Sequence, residues 1–107
     1  MYEYRAIVIY VYDGDTVTVD IDLGFGVMLK KQKIRLLGLN TPEIRGESRE
    51  QGLISRDALR QRINGKWITI TTHKDRKGKY GRWLGVLHDD DGCINDWLLS
   101  ENYAKPM

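Results

Sequence analysis

Apolar and polar positions alternate through the first third of the chain, a pattern that predicts β-strands. Residues 16–23 alternate strictly, with valine, isoleucine and leucine on one side and threonine and aspartate on the other, as in a half-buried strand. Residues 4–12 are so rich in β-branched and aromatic side chains that we predict a strand buried on much of both faces. Residues 27–39 predict a third strand. Glycine turns join the three into a meander, and Gly14 in the first turn is free to take a positive φ.

The spacing of apolar positions becomes helical in residues 47–63. These positions recur every three to five residues and form one stripe: Ile54, Ala58, Leu59 and Ile63. We expect Asn64 and Gly65 to end the helix, because both residues tolerate the left-handed conformation.

Two more strands and a short helix are predicted in the last third of the chain, at residues 67–72, 82–88 and 94–102. Five short strands, a helix between the third and fourth and a short helix after the fifth are the order of an OB-fold β-barrel, a mainly β (α+β) fold. An α+β sheet with two packed helices is the alternative. We expect residues 1–107 to form a single domain.

Charge is concentrated in the middle of the chain, although the net charge is only +2. Residues 30–82 carry fifteen basic and five acidic side chains, whereas the segments on either side are acidic. Such a basic segment is typical of proteins that bind a polyanion, nucleic acid first among them, and an ordinary solvated surface is the alternative.

The remaining composition restricts the class of protein. Cys93 is a single cysteine, which excludes an internal disulfide. The apolar run at residues 6–11 is short and lacks a cleavage site, so it predicts neither a signal peptide nor a membrane span. We therefore expect a cytoplasmic protein without membrane contact, monomeric by default.

Four polar clusters are candidates for chemistry: residues 13–16, Arg35, residues 40–43 and residues 79–82. Asp15 or Asp13 would give a hard cation an oxygen ligand, unless this is a plain hairpin turn. Arg35 presents a planar fork that matches phosphate oxygens, although an edge-strand arginine could equally point to water. Glu43 could activate a water molecule or simply open the following helix.

Together the clusters fit phosphodiester cleavage, which builds negative charge on the oxygens around phosphorus. Two arginines and a divalent cation stabilise that charge, and a carboxylate activates the attacking water. Arg35, Arg82, Asp15 and Glu43 would supply these roles if the fold gathers them. A non-catalytic OB-fold module that binds nucleic acid is the alternative function, and a small interaction protein is a third.

The same clusters resemble three motifs of the staphylococcal nuclease (thermonuclease-like) family, in the same order. They read VYDGDTV at 11–17, IRLLGLNTPE at 34–43 and KYGR at 79–82. INDWLL at 94–99, with Tyr103-Ala104, resembles the family's penultimate helical segment. The resemblance covers nearly the whole chain. It implies an OB-type barrel and calcium-dependent hydrolysis of DNA and RNA that leaves 3′-phosphate ends.

The resemblance also implies roles for individual residues. By position, Arg35 and Arg82 match the family's two phosphate-binding catalytic arginines, and Glu43 matches its proposed general base. Tyr80 matches an aromatic residue near the bound nucleotide, and Lys79 matches a neighbouring basic contact.

For the metal, Asp15 matches a calcium ligand and Thr41 matches a residue that contributes its backbone carbonyl. Asn40 stands where the best-known members have a second calcium-binding aspartate. An amide carbonyl still binds Ca²⁺, but one negative charge is missing, so we expect a lower metal affinity.

Overall fold

The architecture is described by a computed structural model that covers residues 2–74 and 83–107. In this part of the chain the strands are β1 (Tyr2–Asp13), β2 (Thr16–Asp22), β3 (Met28–Leu36), β4 (Leu39–Asn40), β5 (Trp67–Lys74), β6 (Trp83–Asp89), β7 (Gly92–Cys93) and β8 (Lys105–Pro106). The helices are α1 (Arg49–Ile63), preceded by a 3-10 turn at Gly46–Ser48, and α2 (Ile94–Ser100). Neither of these described helices is long and apolar enough to cross a membrane.

Five of the described strands close into a mixed barrel. β1 pairs antiparallel with β2 and β5, β2 with β3, and β5 with β6. A parallel pairing of β3 with β6, in which Arg35 lies opposite Leu84, closes the sheet on itself. α1 lies between β3 and β5 in chain order, and α2 follows β6 and β7. The prediction of an OB-type barrel with two helices is confirmed, and the alternative of an open sheet is wrong.

Apolar side chains from alternate strand positions fill the barrel. Fully buried members come from its strands and from both helices: Ala6, Val8, Val11, Val17, Val19, Ile34, Leu36, Ile70, Leu87, Leu59, Ile63, Ile94 and Leu98. Burying one such large side chain is worth about 1.5–3 kcal/mol, so this cluster dominates the stability of the fold. The threonines of β2 lie on its other side, half buried, as the alternation predicted.

β1 is not buried on both faces, and that part of the prediction is wrong. Its pairing with β2 skips a residue between Val8 and Tyr10 and again between Val11 and Asp13, so β1 carries two bulges. Val8 and Val11 are fully buried, whereas Ile9, Tyr10 and Tyr12 are exposed. The first bulge therefore reverses the alternation and turns Tyr10 outward, although it shares the even-numbered positions of the inward Val8.

α1 ends as predicted, but its first half does not face the barrel with apolar side chains. Ile54 is half exposed, and the buried positions there are Gly52 and Ser55. The Ser55 hydroxyl donates a hydrogen bond of 2.6 Å to the carbonyl of Tyr103. The predicted stripe is thus wrong at Ile54, because this end of the helix packs against loops rather than against the core. Gly65, at a φ of 74°, terminates the helix.

The third strand is shorter than predicted and ends at Leu36. Gly38 adopts a φ of 83°, a left-handed conformation that favours glycine, and turns the chain. The chain then forms the short β4, in which Leu39 pairs with Pro106 of β8. This turn separates β3 from the polar residues that follow it.

A buried amide, that of Asn95, fixes α2 to the barrel. Its Oδ1 accepts a hydrogen bond from the Leu87 amide at 3.0 Å. Its Nδ2 donates to the carbonyls of Leu37 at 3.0 Å and Gly85 at 3.1 Å. Asn95 thus satisfies backbone groups of β6 and of the residue after β3, where the parallel pairing ends.

An ion pair joins α1 to the end of β6. Arg62 donates two hydrogen bonds to the Asp89 carboxylate, at 2.8 and 2.7 Å, and its guanidinium lies 4.7 Å from the centre of the Trp97 ring. Both charged side chains are largely buried. The bidentate contact with Arg62 lowers the pKa of Asp89 from its usual value.

We expect Asp89→Asn to lower the free energy of unfolding by about 1.5–3 kcal/mol at neutral pH, the range for a hydrogen bond to a charged group. Because the pKa of Asp89 is lowered on folding, this stabilisation is present above the unfolded carboxyl pKa of about 3.9 and is lost as the pH falls through the folded value. Urea unfolding across a pH series measures the difference in unfolding free energy between parent and variant. This difference should decrease as the pH falls below about 3.9.

Asp57→Asn is the matched control. Asp57 pairs with Arg56 at 3.0 Å, but its side chain is exposed, so the loss should stay below about 1 kcal/mol. Equal losses from the two variants would contradict a special contribution from the Arg62–Asp89 pair.

Candidate active site

A cleft with a volume of about 790 Å³ opens on the outer face of β1, β2 and β3, beside the loop that follows β3. Its walls include five residues singled out from the sequence: Asp15, Arg35, Asn40, Thr41 and Glu43. The fold therefore brings together residues up to 28 positions apart in the chain. Their convergence at one cleft makes it the candidate active site.

The carboxylate of Asp15 is at the base of the cleft and only 7% of the residue is exposed. Its Oδ2 accepts hydrogen bonds from Arg35 Nη2 at 3.2 Å and from the Thr41 amide at 3.1 Å. Its Oδ1 accepts from the Thr16 hydroxyl at 3.3 Å. A buried charge is costly without such partners, so these bonds hold the β1–β2 turn, β3 and the following loop together.

Arg35 does not point freely into water, because its side chain is only 14% exposed. Besides Asp15, the same Nη2 donates to the carbonyl of Leu39 at 3.4 Å and to Oδ1 of Asn40. The alternative of a water-facing edge arginine is therefore wrong. One nitrogen of the fork positions the loop, while the guanidinium remains part of the cleft wall.

Two carboxyl groups crowd the turn between β1 and β2. Asp13 Oδ1 accepts a hydrogen bond of 3.1 Å from the Asp15 amide. Burial, and then the neighbouring carboxylate of Asp15, raise the pKa of Asp13 to about 6. The pair therefore carries more negative charge than its surroundings easily accommodate, a condition that a bound cation would relieve.

The donors at this end of the cleft fit a hard cation. Asp15 offers a carboxylate, Asn40 an amide oxygen and Thr41 a carbonyl, all of which are oxygen donors. The hydroxyl Oγ1 of Thr41 is buried and has no hydrogen-bond partner among the described residues. Residues 2–74 and 83–107 contain no group of three or more histidine, cysteine or acidic side chains placed to bind a metal. The donor set thus fits Ca²⁺ chemically but has few charges.

Two glycines let the loops approach closely around these donors. Gly14 could have taken a positive φ, but it does not. A Cβ there would lie 2.7 Å from Cγ2 of Thr41 and 2.9 Å from Cβ of Ser55. A Cβ at Gly52 of α1 would collide with the carbonyl oxygens of Glu43 and Pro42. Both positions require glycine because of close contact rather than backbone conformation.

Three predicted site residues, Lys79, Tyr80 and Arg82, lie outside the described residues. The described chain resumes at Trp83, whose backbone pairs with Ile34, the residue before Arg35. The proposed roles of the three residues stay predictions.

Other residues that line the cleft were given no role of their own from the sequence, although Tyr12 and Thr16 belong to its first motif. They lie on the three strands that form its floor: Tyr10, Tyr12, Thr16, Thr18 and Lys33. The alternation of β2 placed the threonines on the outer face, and Lys33 shares the odd-numbered positions of Arg35. The tyrosines were missed because their orientation depends on the bulge in β1.

This chain was compared with known protein sequences and with models of protein families. A protein of Escherichia coli O157:H7 named "Uncharacterized endonuclease" is 33% identical to this chain over 76 residues. The aligned part covers 70% of this chain and 46% of that protein, so the chain spans less than half of the relative's length. No protein-family model matches the sequence.

We expect Gly52→Ala to destabilise the protein. In an ordinary helix this change gains about 0.5–1 kcal/mol. Here the added methyl would meet two backbone oxygens of the loop that carries Glu43, and overpacking of this kind costs about 1–3 kcal/mol. The net effect in urea unfolding should therefore be a loss. Gln51→Ala, at an exposed position of the same helix, should change stability by less than about 0.5 kcal/mol. A Gly52→Ala variant more stable than the parent would contradict the close contact.

Proposed function

We propose that this protein is a metal-dependent nuclease of the staphylococcal nuclease type, which hydrolyses phosphodiester bonds of DNA, RNA or both. The observation that carries the proposal is the convergence of Asp15, Arg35 and Glu43 on one cleft. The name of the Escherichia coli relative, an endonuclease, supports the same class of reaction. The three ordered motifs in the sequence support the more specific family.

In this proposal Arg35 binds the scissile phosphate. Its fork matches two phosphate oxygens, and its contacts with Asp15 and Leu39 restrict the side chain, so little entropy is lost on binding. Arg82, the residue before β6, is the second arginine that stabilises the negative charge of the transition state. The two cations act on charge that develops at the equatorial oxygens during the reaction.

In this proposal Glu43 accepts a proton from the attacking water, and it orients the water oxygen towards phosphorus. The backbone around Glu43 is fixed by two contacts. The Ser48 hydroxyl donates a hydrogen bond of 3.0 Å to the Glu43 carbonyl, and Gly52 packs against the same carbonyl. The side chain itself is exposed at the cleft, where water is available. If the P–O5′ bond then breaks and the 5′-oxygen leaves as a hydroxyl, the products end in the 3′-phosphate that the family resemblance implies.

Asp15, Asn40 and Thr41 would hold one Ca²⁺, which would supply further positive charge at the phosphate. The crowded carboxyls of Asp13 and Asp15 support a cation here, and the uncharged Asn40 supports a modest affinity. Lys79 and Tyr80 are the proposed contacts to the nucleotide. We propose a monomer that acts on nucleic acid in the cytoplasm, without membrane contact.

We expect purified protein to cleave single-stranded DNA in Ca²⁺ and to lose this activity in a chelator. Glu43→Gln should lower the rate constant about 10²- to 10⁴-fold, the usual contribution of a general base. Arg35→Lys and Arg82→Lys keep the charge but lose the fork, and each should lower it at least about 10-fold. Initial rates on a labelled oligonucleotide measure these changes.

Glu50→Gln provides the control, because Glu50 is an exposed glutamate of α1 that does not line the cleft. It should cleave like the parent. A parent without cation-dependent cleavage, or a Glu43→Gln variant as active as the parent, would contradict the proposed mechanism. Tight binding of DNA without turnover would instead favour the non-catalytic OB-fold module.

A further inference from the structure

Two tyrosines of β1 stand on the outer face beside the candidate active site. Tyr10 is 49% exposed and Tyr12 is 41% exposed, and both line the cleft that holds Arg35 and Glu43. The bulge at Ile9 puts them there, since unbroken alternation would direct Tyr10 into the core with Val8. Bulges that re-aim a side chain are common next to functional sites.

Strand register connects these tyrosines to the proposed phosphate-binding residue. Tyr10 lies opposite Thr18 of β2, and Thr18 lies opposite Lys33 of β3. Lys33 is two residues before Arg35, so their Cα atoms are about 6.6 Å apart and their side chains leave the same face of the strand. An aromatic ring, a hydroxyl and a cation thus form a row across the barrel, adjacent to the row that contains Arg35.

Each tyrosine is also fixed by an arginine. Arg60 of α1 lies 5.3 Å from the centre of the Tyr10 ring and donates to its hydroxyl at 3.2 Å. The same arginine donates to the carbonyl of Val11 at 3.0 Å. Arg45 donates to the Tyr12 hydroxyl at 3.3 Å. The rings are therefore held in place while much of their surface stays exposed, and each has a positive charge next to it.

We propose that Tyr10 and Tyr12 form a nucleotide-binding subsite, on which unpaired bases next to the cleaved phosphodiester stack, with Lys33 bound to a neighbouring phosphate. This inference rests on the proposed function, because it takes the ligand of the cleft to be nucleic acid. Exposed aromatic rings that alternate with cations are the chemistry that binds single strands. Paired bases present no free face to such rings, so the subsite favours an unpaired strand over a duplex.

Binding is best measured in the full chain carrying Glu43→Gln, which should cleave about 10²- to 10⁴-fold more slowly than the parent, so the octamer stays intact during the measurement. Fluorescence anisotropy would give the dissociation constants for a labelled octathymidylate, for an abasic deoxyribose-phosphate chain of the same length, and for the octamer in a duplex. We expect Tyr10→Ala and Tyr12→Ala each to weaken octamer binding about 5- to 150-fold, the range for one stacked base. Neither should alter binding of the abasic chain or the duplex by more than about twofold.

Three further variants separate stacking from other effects. Tyr10→Phe keeps the ring and should retain most of the octamer affinity. Lys33→Ala should weaken octamer and abasic chain alike and reduce the salt dependence by about one charge. Tyr2→Ala, at an exposed tyrosine of the same strand outside the cleft, should bind like the parent.

Octamer binding unaffected by either tyrosine substitution overturns the subsite. So does an equal loss on octamer and abasic chain, an equal loss on octamer and duplex, or a parent that does not bind the octamer. Because the measurement needs no turnover, an inactive parent would defeat the proposed nuclease activity and leave the subsite standing. An active parent whose tyrosine variants bind the octamer normally would defeat the subsite and leave the proposed nuclease activity standing.

Discussion

The buried carboxylate of Asp15 is the contact on which the candidate site depends. A charge with so little exposure is stable only when several donors face it, and here the donors come from separate segments. Arg35 belongs to β3 and the Thr41 amide to the loop beyond it. The backbone carbonyl of Asp15 also accepts a hydrogen bond of 2.8 Å from the Leu36 amide, which adds a ladder contact between the turn and β3. Removing the carboxylate would leave several groups without partners at once.

Close packing around that contact explains residues that look unremarkable in the sequence. Gly14 allows Thr41 and Ser55 to approach the β1–β2 turn, and Gly52 allows the Glu43 segment to lie on α1. These glycines are needed because a methyl group would occupy space already filled by backbone or side-chain atoms. Periodicity and turn propensity contain no information about such tertiary distances, so the sequence indicated only conformational freedom at Gly14, and the contact at Gly52 was not predicted.

Much of the fold was predictable because the strongest signals are local. The alternation of β2, the glycine that ends α1 and the order of strands and helices gave the OB-type barrel. Two errors, at β1 and at Ile54, arise because the deciding contacts are not local in the sequence. A bulge changes the side-chain phase by one residue, and the neighbours of a helix decide which of its faces is buried. Residue types and the family resemblance selected Asp15, Arg35 and Glu43, which line one cleft, whereas the place of Tyr10 and Tyr12 depended on that phase change.

The amide at position 40 links the electrostatics of the proposed metal to those of the phosphate. Asn40 accepts a hydrogen bond from Arg35 but does not neutralise it, so among the described residues Asp15 is the acidic partner of this guanidinium. A second carboxylate at position 40 would draw a cation more strongly and would also offset more of the positive charge of Arg35. With an amide there, we expect a lower affinity for the metal and a stronger attraction between Arg35 and an anionic phosphate. The crowding of Asp13 against Asp15 acts in the opposite direction, because it favours a cation next to the turn. In the proposed nuclease, affinity for the metal and affinity for the substrate are therefore set by the same few oxygens, and a change at position 40 alters both.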